Sequence, residues 1–359
     1  MNTKERYREL DLYKGVGILL VVTHATQLLS ESLEKRVAAV GFALFMAAAG
    51  ALYYKKGYKQ DEKVATAEVF RGIFMPYIWF SLAFLCVDAL GMFILPERFT
   101  LENLYGHIWD SVSFLGISTL WFLPAYFLAV AAYRMFRFYF SFVWMAVILT
   151  LTIFCLLLIL YYRGYDGMLP LQSTEPGLEN YGLRFALLFW RGSLGMFFCM
   201  WGEALARLEG FLKKKKIICV TAALAALVLG AVLAGFAPMP DYENFALGNP
   251  FLSIPIAMCF SGGLYILCCW IGTVRPIDFL GRHALIILVS YNKFKVLFVA
   301  LALGGKVLAL TQNNFATRTT VALVTLGLEL LIIFILRQPV FRIFFGMRDW
   351  SAPAPEEPE

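Results

Sequence analysis

The stretch YKGVGILLVVTHATQLLSE, residues 13–31, decides the fold class. Between Lys14 and Glu31 its only ionisable side chain is His24. A helix needs roughly 20 mostly apolar residues to cross the hydrocarbon core of a bilayer, and this segment meets that length. Lys4, Arg6 and Arg8 precede it, as basic residues precede a secretory signal, but no small-x-small cleavage site follows. The segment reads as a first membrane helix.

Similar runs recur to the end of the chain. Candidate spans cover 13–31, 37–54, 69–95, 117–136, 138–162, 183–207, 217–237, 251–273, 281–303 and 319–338. The third is long enough to tilt or to bend near Pro76. The composition agrees, with 60% of the 359 residues hydrophobic and 16% charged, against about 25% charged in soluble domains. The expected fold is all-α, a polytopic transmembrane bundle of about ten helices forming one domain over 1–350. The Pro- and Glu-rich tail 351–359 is expected to be disordered.

Orientation follows from the lysines and arginines, which collect in cytoplasmic loops. With the amino terminus inside, 21 of the 31 fall on the inner side, 7 on the outer side and 3 within spans. The outer loops carry Asp166, Glu175, Glu179, Asp241 and Glu243 instead. Ten crossings with both termini cytoplasmic satisfy the rule at every loop. The run Lys213 to Lys216 is then an inside signal beside anionic lipid, so the partner it implies is membrane lipid and not nucleic acid.

Other classes fit poorly. The 7 cysteines lie inside apolar runs, an odd number without a paired loop, so no disulfide framework is expected. The 3 histidines form no metal-binding spacing with them, so no metal is implied. No internal repeat is visible, which disfavours transporters built from inverted halves. Nothing in the sequence settles the oligomeric state.

Ionisable groups within the bilayer are costly and mark function by default. His24 lies ten residues past Lys14, about 15 Å along a helix, which places it near mid-membrane. Two readings stand: a general base that takes a hydroxyl proton, or a histidine hydrogen-bonded between helices. Arg191, in the sixth span, either receives a substrate group by forked hydrogen bonds or pairs with Asp88 in the third. Asn292, Lys293 and Lys295 interrupt the ninth span, lining a polar channel, breaking the helix or pairing with Glu329. Trp121 either shapes the outer end of the fourth span or stacks on a sugar ring. Arg71 is a phosphate ligand or a topology anchor, His107 reads as an outer-loop residue, and His283 beside Arg282 either contacts the acyl donor or is a solvated loop residue.

Four segments share a further property. RELDLYKGVGILLVVTHA (Arg8 to Ala25) resembles the start of membrane acyltransferase family 3, with Asp11, Lys14, Val21, Val22 and His24 in the family's order. FRGIFMPYIWF (Phe70 to Phe80), TLWFLPAYFL (Thr119 to Leu128) and FLGRHALIIL (Phe279 to Leu288) are similar to its later segments. The resemblance implies an O-acyltransferase, most often an O-acetyltransferase. It takes the acyl group from cytoplasmic acyl-CoA, typically acetyl-CoA, and gives it to a hydroxyl of a cell-envelope or exported carbohydrate. The location implied is the cytoplasmic membrane of a bacterium.

Within that reading His24 is the catalytic base and Lys14 supports it, with Arg71 on the CoA side and Arg191 and Trp121 near the acceptor. Three departures accompany the likeness. His283 and Ala284 replace the family's usual Asn-Ser, and no histidine closes that late motif near Tyr291. Nine residues, Gly15 to Thr23, separate Lys14 from His24, where the family usually has ten. Ten steps leave the two side chains about 80° apart on a straight helix, whereas the eleven steps from Tyr13 leave about 20°. Tyr13 is therefore the alternative partner, unless a π-bulge near Gly15 and Gly17 restores the register. A flippase for a lipid-linked sugar, or a silent relative in a biosynthetic complex, are the competing functions.

Overall fold

The computed structural model describes residues 7–25, 31–56, 68–94, 99–162, 181–212, 215–237, 240–243, 245, 247–293, 303–304, 306–307, 314–336 and 338. Among them the regular structure is helical, with no strand. The helices are α1 (Arg8–Ala25), α2 (Glu31–Lys55), α3 (Met75–Ile94), α4 (Leu101–Val112), α5 (Phe122–Tyr139) and α6 (Phe142–Tyr162). They continue as α7 (Tyr181–Leu212), α8 (Lys216–Ala234), α9 (Pro250–Ile271), α10 (Arg275–Arg282), α11 (Ala284–Lys293) and α12 (Asn314–Leu336).

Six helical stretches are long and apolar enough to cross a membrane: Phe70–Ile94, Ser118–Tyr139, Tyr181–Phe211, Ile217–Ala234, Pro250–Ile271 and Ala316–Leu336. Large apolar side chains such as Phe93, Phe189, Ile217, Leu323 and Phe334 stay exposed on them. In water such a surface would drive association; facing lipid tails it costs nothing. The protein is an all-helical membrane protein.

Backbones approach most closely where glycines meet. A Cβ on Gly281 of α10 would lie 1.8 Å from the Asp11 carbonyl oxygen, and one on Gly15 of α1 would lie 2.0 Å from that of Ile277. The same reciprocal contact joins α2 to α7, where a Cβ on Gly50 would meet Cys199 O at 1.8 Å and one on Gly202 would meet Ala47 O at 1.9 Å. Small residues let membrane helices gain dispersion contacts where lipid offers no hydrophobic drive. These contacts account for the glycines of α1. The helix is uninterrupted from Arg8 to Ala25, with no π-bulge at Gly15 or Gly17.

The π-helical turn lies elsewhere, at Phe70–Phe74, just before α3. Pro76, whose ring blocks a regular backbone bond, follows it, so the expected bend near Pro76 is a change of helix type. Two further expectations change. The stretch 96–116, read as loop, holds α4, whose Thr100 side chain accepts the Asn103 amide at 3.2 Å. The ninth span, 281–303, divides at His283 between α10 and α11. The side chains of Asn292, Lys293 and Lys295 lie outside the described residues, as does the tail from Ser351.

One end of the bundle gathers basic residues. Lys55 Nζ sits 2.5 Å from Glu9 and 2.6 Å from Glu209, while the Tyr265 hydroxyl donates to Glu209 at 2.9 Å. These contacts tie α1, α2, α7 and α9 together. Beside them, buried Glu203 receives Arg137 Nε at 2.9 Å, Arg207 Nη2 at 2.5 Å and the Tyr133 hydroxyl. The opposite end carries Asp110, Asp241 and Glu243, and α1 and α2 run antiparallel between the two.

Candidate functional site

The four segments singled out in the sequence meet in space. α1 packs on α10 through Gly15 and Gly281. The Thr119 hydroxyl, in the 3₁₀ turn Ser118–Trp121 that opens α5, donates to Val289 O of α11 at 3.2 Å. Phe74, closing the π turn, lies 5.1 Å centre to centre from Phe127 of α5. Segments far apart in sequence thus line one continuous part of the bundle.

His24 ends α1 on the acidic side. Its Nδ1 is buried and has no hydrogen-bond partner among the described residues. The other two histidines are pinned at that atom: His107 Nδ1 lies 2.6 Å from Asp88 Oδ2, and His283 Nδ1 lies 2.9 Å from Phe279 O. Such a bond selects the tautomer and aims the ring. A buried polar atom left without one costs about 1–3 kcal/mol. His24 is only half-buried as a residue, so its imidazole combines a buried, unsatisfied nitrogen with access from outside.

A layer of π-systems lies one turn away. Val21 of α1 faces Gly41 of α2, where a Cβ would meet Val21 Cγ2 at 3.4 Å. The next residue, Phe42, stacks on Trp121 at 5.9 Å and on Tyr242 at 5.0 Å, with 19° between planes in both cases. The Arg191 guanidinium stands 5.0 Å from the centre of the Trp121 ring. His24 follows Val21 by three residues, about 4.5 Å along the helix, so it rises just beyond this layer. Gly116 makes the closure possible. At φ +81° it turns the chain back on Trp121, whose backbone nitrogen would lie 2.3 Å from any Cβ there.

Arg191 is 3% exposed. Its only protein hydrogen bond among the described residues is a long one, 3.5 Å to Leu115 O, and its Nε is buried without a partner. Asp88, considered as its counter-ion, instead holds His107. The residues missed by sequence reasoning belong here: His107 was read as a loop residue, and α4 brings it down to Asp88. Asp110 of the same helix pairs with Arg184 of α7 at 2.7 Å. The Leu101, Tyr105, Ile108 and Val112 periodicity was the available signal for α4.

Lys14, Tyr13 and Arg71 lie toward the basic end. Lys14 pairs with Asp11 at 3.0 Å, one turn back on its own helix. Tyr13 is fully buried and gives its hydroxyl to Ser261 O of α9 at 2.9 Å, with its ring edge-on to Tyr265. Arg71 is exposed in the π turn. Buried Glu329 of α12 takes the Ser290 hydroxyl at 2.5 Å. The structure therefore groups Trp121 with Arg191 near the His24 level, and leaves Tyr13, Lys14 and Arg71 apart from them.

An all-helical chain with six stretches long and apolar enough to cross a membrane belongs to the class of polytopic membrane proteins. The comparison with known families makes that particular. The chain matches an acyltransferase domain over residues 7–337 and belongs to membrane acyltransferase family 3. It is thereby a membrane transferase of acyl groups. No curated protein and no solved structure matches it.

Proposed function

We propose that the protein is an integral membrane O-acetyltransferase with His24 as general base. It takes the acetyl group from acetyl-CoA at the basic, cytoplasmic end and passes it to a hydroxyl of a cell-envelope or exported carbohydrate at the other. The chain crosses the cytoplasmic membrane of a bacterium ten times and keeps both termini inside. The observation that carries this reading is the buried Nδ1 of His24, without a hydrogen-bond partner among the described residues, in a chain whose family transfers acyl groups.

In the proposed step the imidazole takes the proton of the acceptor hydroxyl as its oxygen attacks the thioester carbon. The carbon–sulfur bond breaks, sulfur leaves with the electron pair, and the imidazolium proton returns to the thiolate, so the sum yields an ester and a free thiol. Lys14 and Arg71 serve the anionic donor, while Trp121 and Arg191 serve the acceptor. Tyr13 sets the rotation of α1 through Ser261, and so the direction in which His24 points.

The test uses protein in lipid nanodiscs with labelled acetyl-CoA and envelope glycan. Wild type is expected to transfer label, and His24→Ala to lose at least about a hundredfold, the usual contribution of acid–base catalysis. Equal transfer by both would remove His24 from the mechanism. Movement of a lipid-linked sugar without label transfer would identify a flippase instead.

A further inference from the structure

Resting on the acceptor side of the proposed function, we infer that Arg191 is an oxyanion subsite and that the acceptor carries a negatively charged group. An arginine offers five N–H donors in a flat fork that matches a carboxylate or phosphate. In this protein the residue is 3% exposed, yet no carboxylate among the described residues forms an ion pair with it. Among the described residues its polar contacts are the face of Trp121 at 5.0 Å and the long bond to Leu115 O at 3.5 Å. Nε has no partner.

The other buried arginines of the bundle are treated differently. Arg137 gives both Nε and Nη2 to Glu203, and Arg184 gives Nη1 to Asp110. A bilayer-buried cation is normally neutralised by a partner in this way, because an isolated one costs several kcal/mol. Arg191 is buried to the same degree without that partner. The stabilisation missing from the free protein is what a bound oxyanion would supply. Trp121 marks the way in: its ring lies against the guanidinium and keeps part of its surface exposed, next to the level of His24.

Two carboxylates act on Arg191 through space from the loop between α8 and α9, Asp241 and Glu243. They offset part of the cost of burying that charge and oppose the entry of a further anion. Their removal therefore distinguishes a binding role from a structural one. A structural arginine would lose support, whereas a binding arginine would take an anionic ligand more tightly.

The experiment measures equilibrium binding and acetyl transfer with three acceptors: a uronic-acid oligosaccharide, its carboxyl-reduced counterpart, and that neutral oligosaccharide on a polyprenyl pyrophosphate carrier. Arg191→Gln is expected to weaken binding of the charged acceptors roughly 10–100-fold, the value of a charge-assisted hydrogen bond, and to leave the neutral one within about twofold. A loss confined to the uronic acid identifies a sugar carboxylate; a loss confined to the carrier-linked acceptor identifies its phosphate. The double variant Asp241→Asn, Glu243→Gln is expected to bind the charged acceptor more tightly than wild type. Equal loss on charged and neutral acceptors, or weaker anion binding by the double variant, would overturn the inference. If wild type transfers no acetyl group, the acetyltransferase reading fails, while the charge dependence of binding still decides the subsite.

Discussion

Replacing Gly281 with alanine tests the contact that joins the first and last family segments. The new Cβ would lie 1.8 Å from Asp11 O and 2.7 Å from the backbone nitrogen of Gly15. An ordinary carbon–oxygen contact needs about 3.4 Å, so the shortfall is about 1.6 Å. Both obstacles are backbone, and no rotamer change relieves them. Either α10 withdraws from α1 or one helix distorts, and overpacking of this kind costs about 1–3 kcal/mol, here at the upper end. Gly327, in α12, is the control. A Cβ there meets nothing within 4 Å, and alanine in mid-helix gains roughly 0.5–1 kcal/mol over glycine. The two variants should therefore differ by up to about 4 kcal/mol in unfolding from mixed micelles, with Gly281→Ala the weaker. Gly15→Ala, which would meet Ile277 O at 2.0 Å, should resemble Gly281→Ala. One withdrawal of α10 relieves both clashes, so the double variant should cost less than the two losses added. A Gly281→Ala protein as stable as Gly327→Ala, or additive single losses, would refute this packing.

Two other measurements probe separate parts of the bundle. Glu203→Gln leaves Arg137 buried without its carboxylate and should cost about 3–5 kcal/mol, whereas Arg207→Gln, at an exposed partner, should cost below about 1 kcal/mol; comparable losses in chemical unfolding would mean that the network is not organised around buried Arg137. Lost hydration raises the Glu243 carboxyl above its ordinary range, Asp241 adds to this, and Arg191 pulls it back. As pH falls through that raised value Glu243 loses its charge before the acceptor's carboxylate does, so binding of the uronic-acid oligosaccharide should strengthen on mild acidification, and Glu243→Gln should abolish the change; an unaltered pH profile in that variant would exclude Glu243 as the competing charge.

What could be read from the sequence was what depends on position along a helix. The apolar runs mark the membrane helices, and Pro76 marks where the third one changes type. What could not be read depends on rotation about the helix and on neighbours. Arg191 and Asp88 occur at matching depths in their spans, yet Asp88 faces α4 and takes His107. Gly15 and Gly17 carry two meanings in sequence, a distortable helix or a close neighbour. Only the position of Ile277 and Leu44 selects the second. Glu329 was matched to lysines of the ninth span, and among the described residues its partner is Ser290.

The spacing between Lys14 and His24 takes its meaning from the same distinction. With α1 regular throughout, the nine intervening residues leave Lys14 off the face of His24, where it answers Asp11 instead. Tyr13 shares that face but lies about 16 Å below the imidazole, eleven residues at 1.5 Å each, and spends its hydroxyl on α9. Neither residue can touch His24. A direct contact that aims the imidazole must therefore come from other residues, and its buried Nδ1 is still unsatisfied among the described residues. The neighbouring level offers the Phe42–Trp121–Arg191 layer, built by α2, α5 and α7, which holds a second unsatisfied group, the Arg191 Nε. Two such groups, on different helices, thus stand at neighbouring levels beside one partly exposed indole, and what surrounds them is set by helices other than α1.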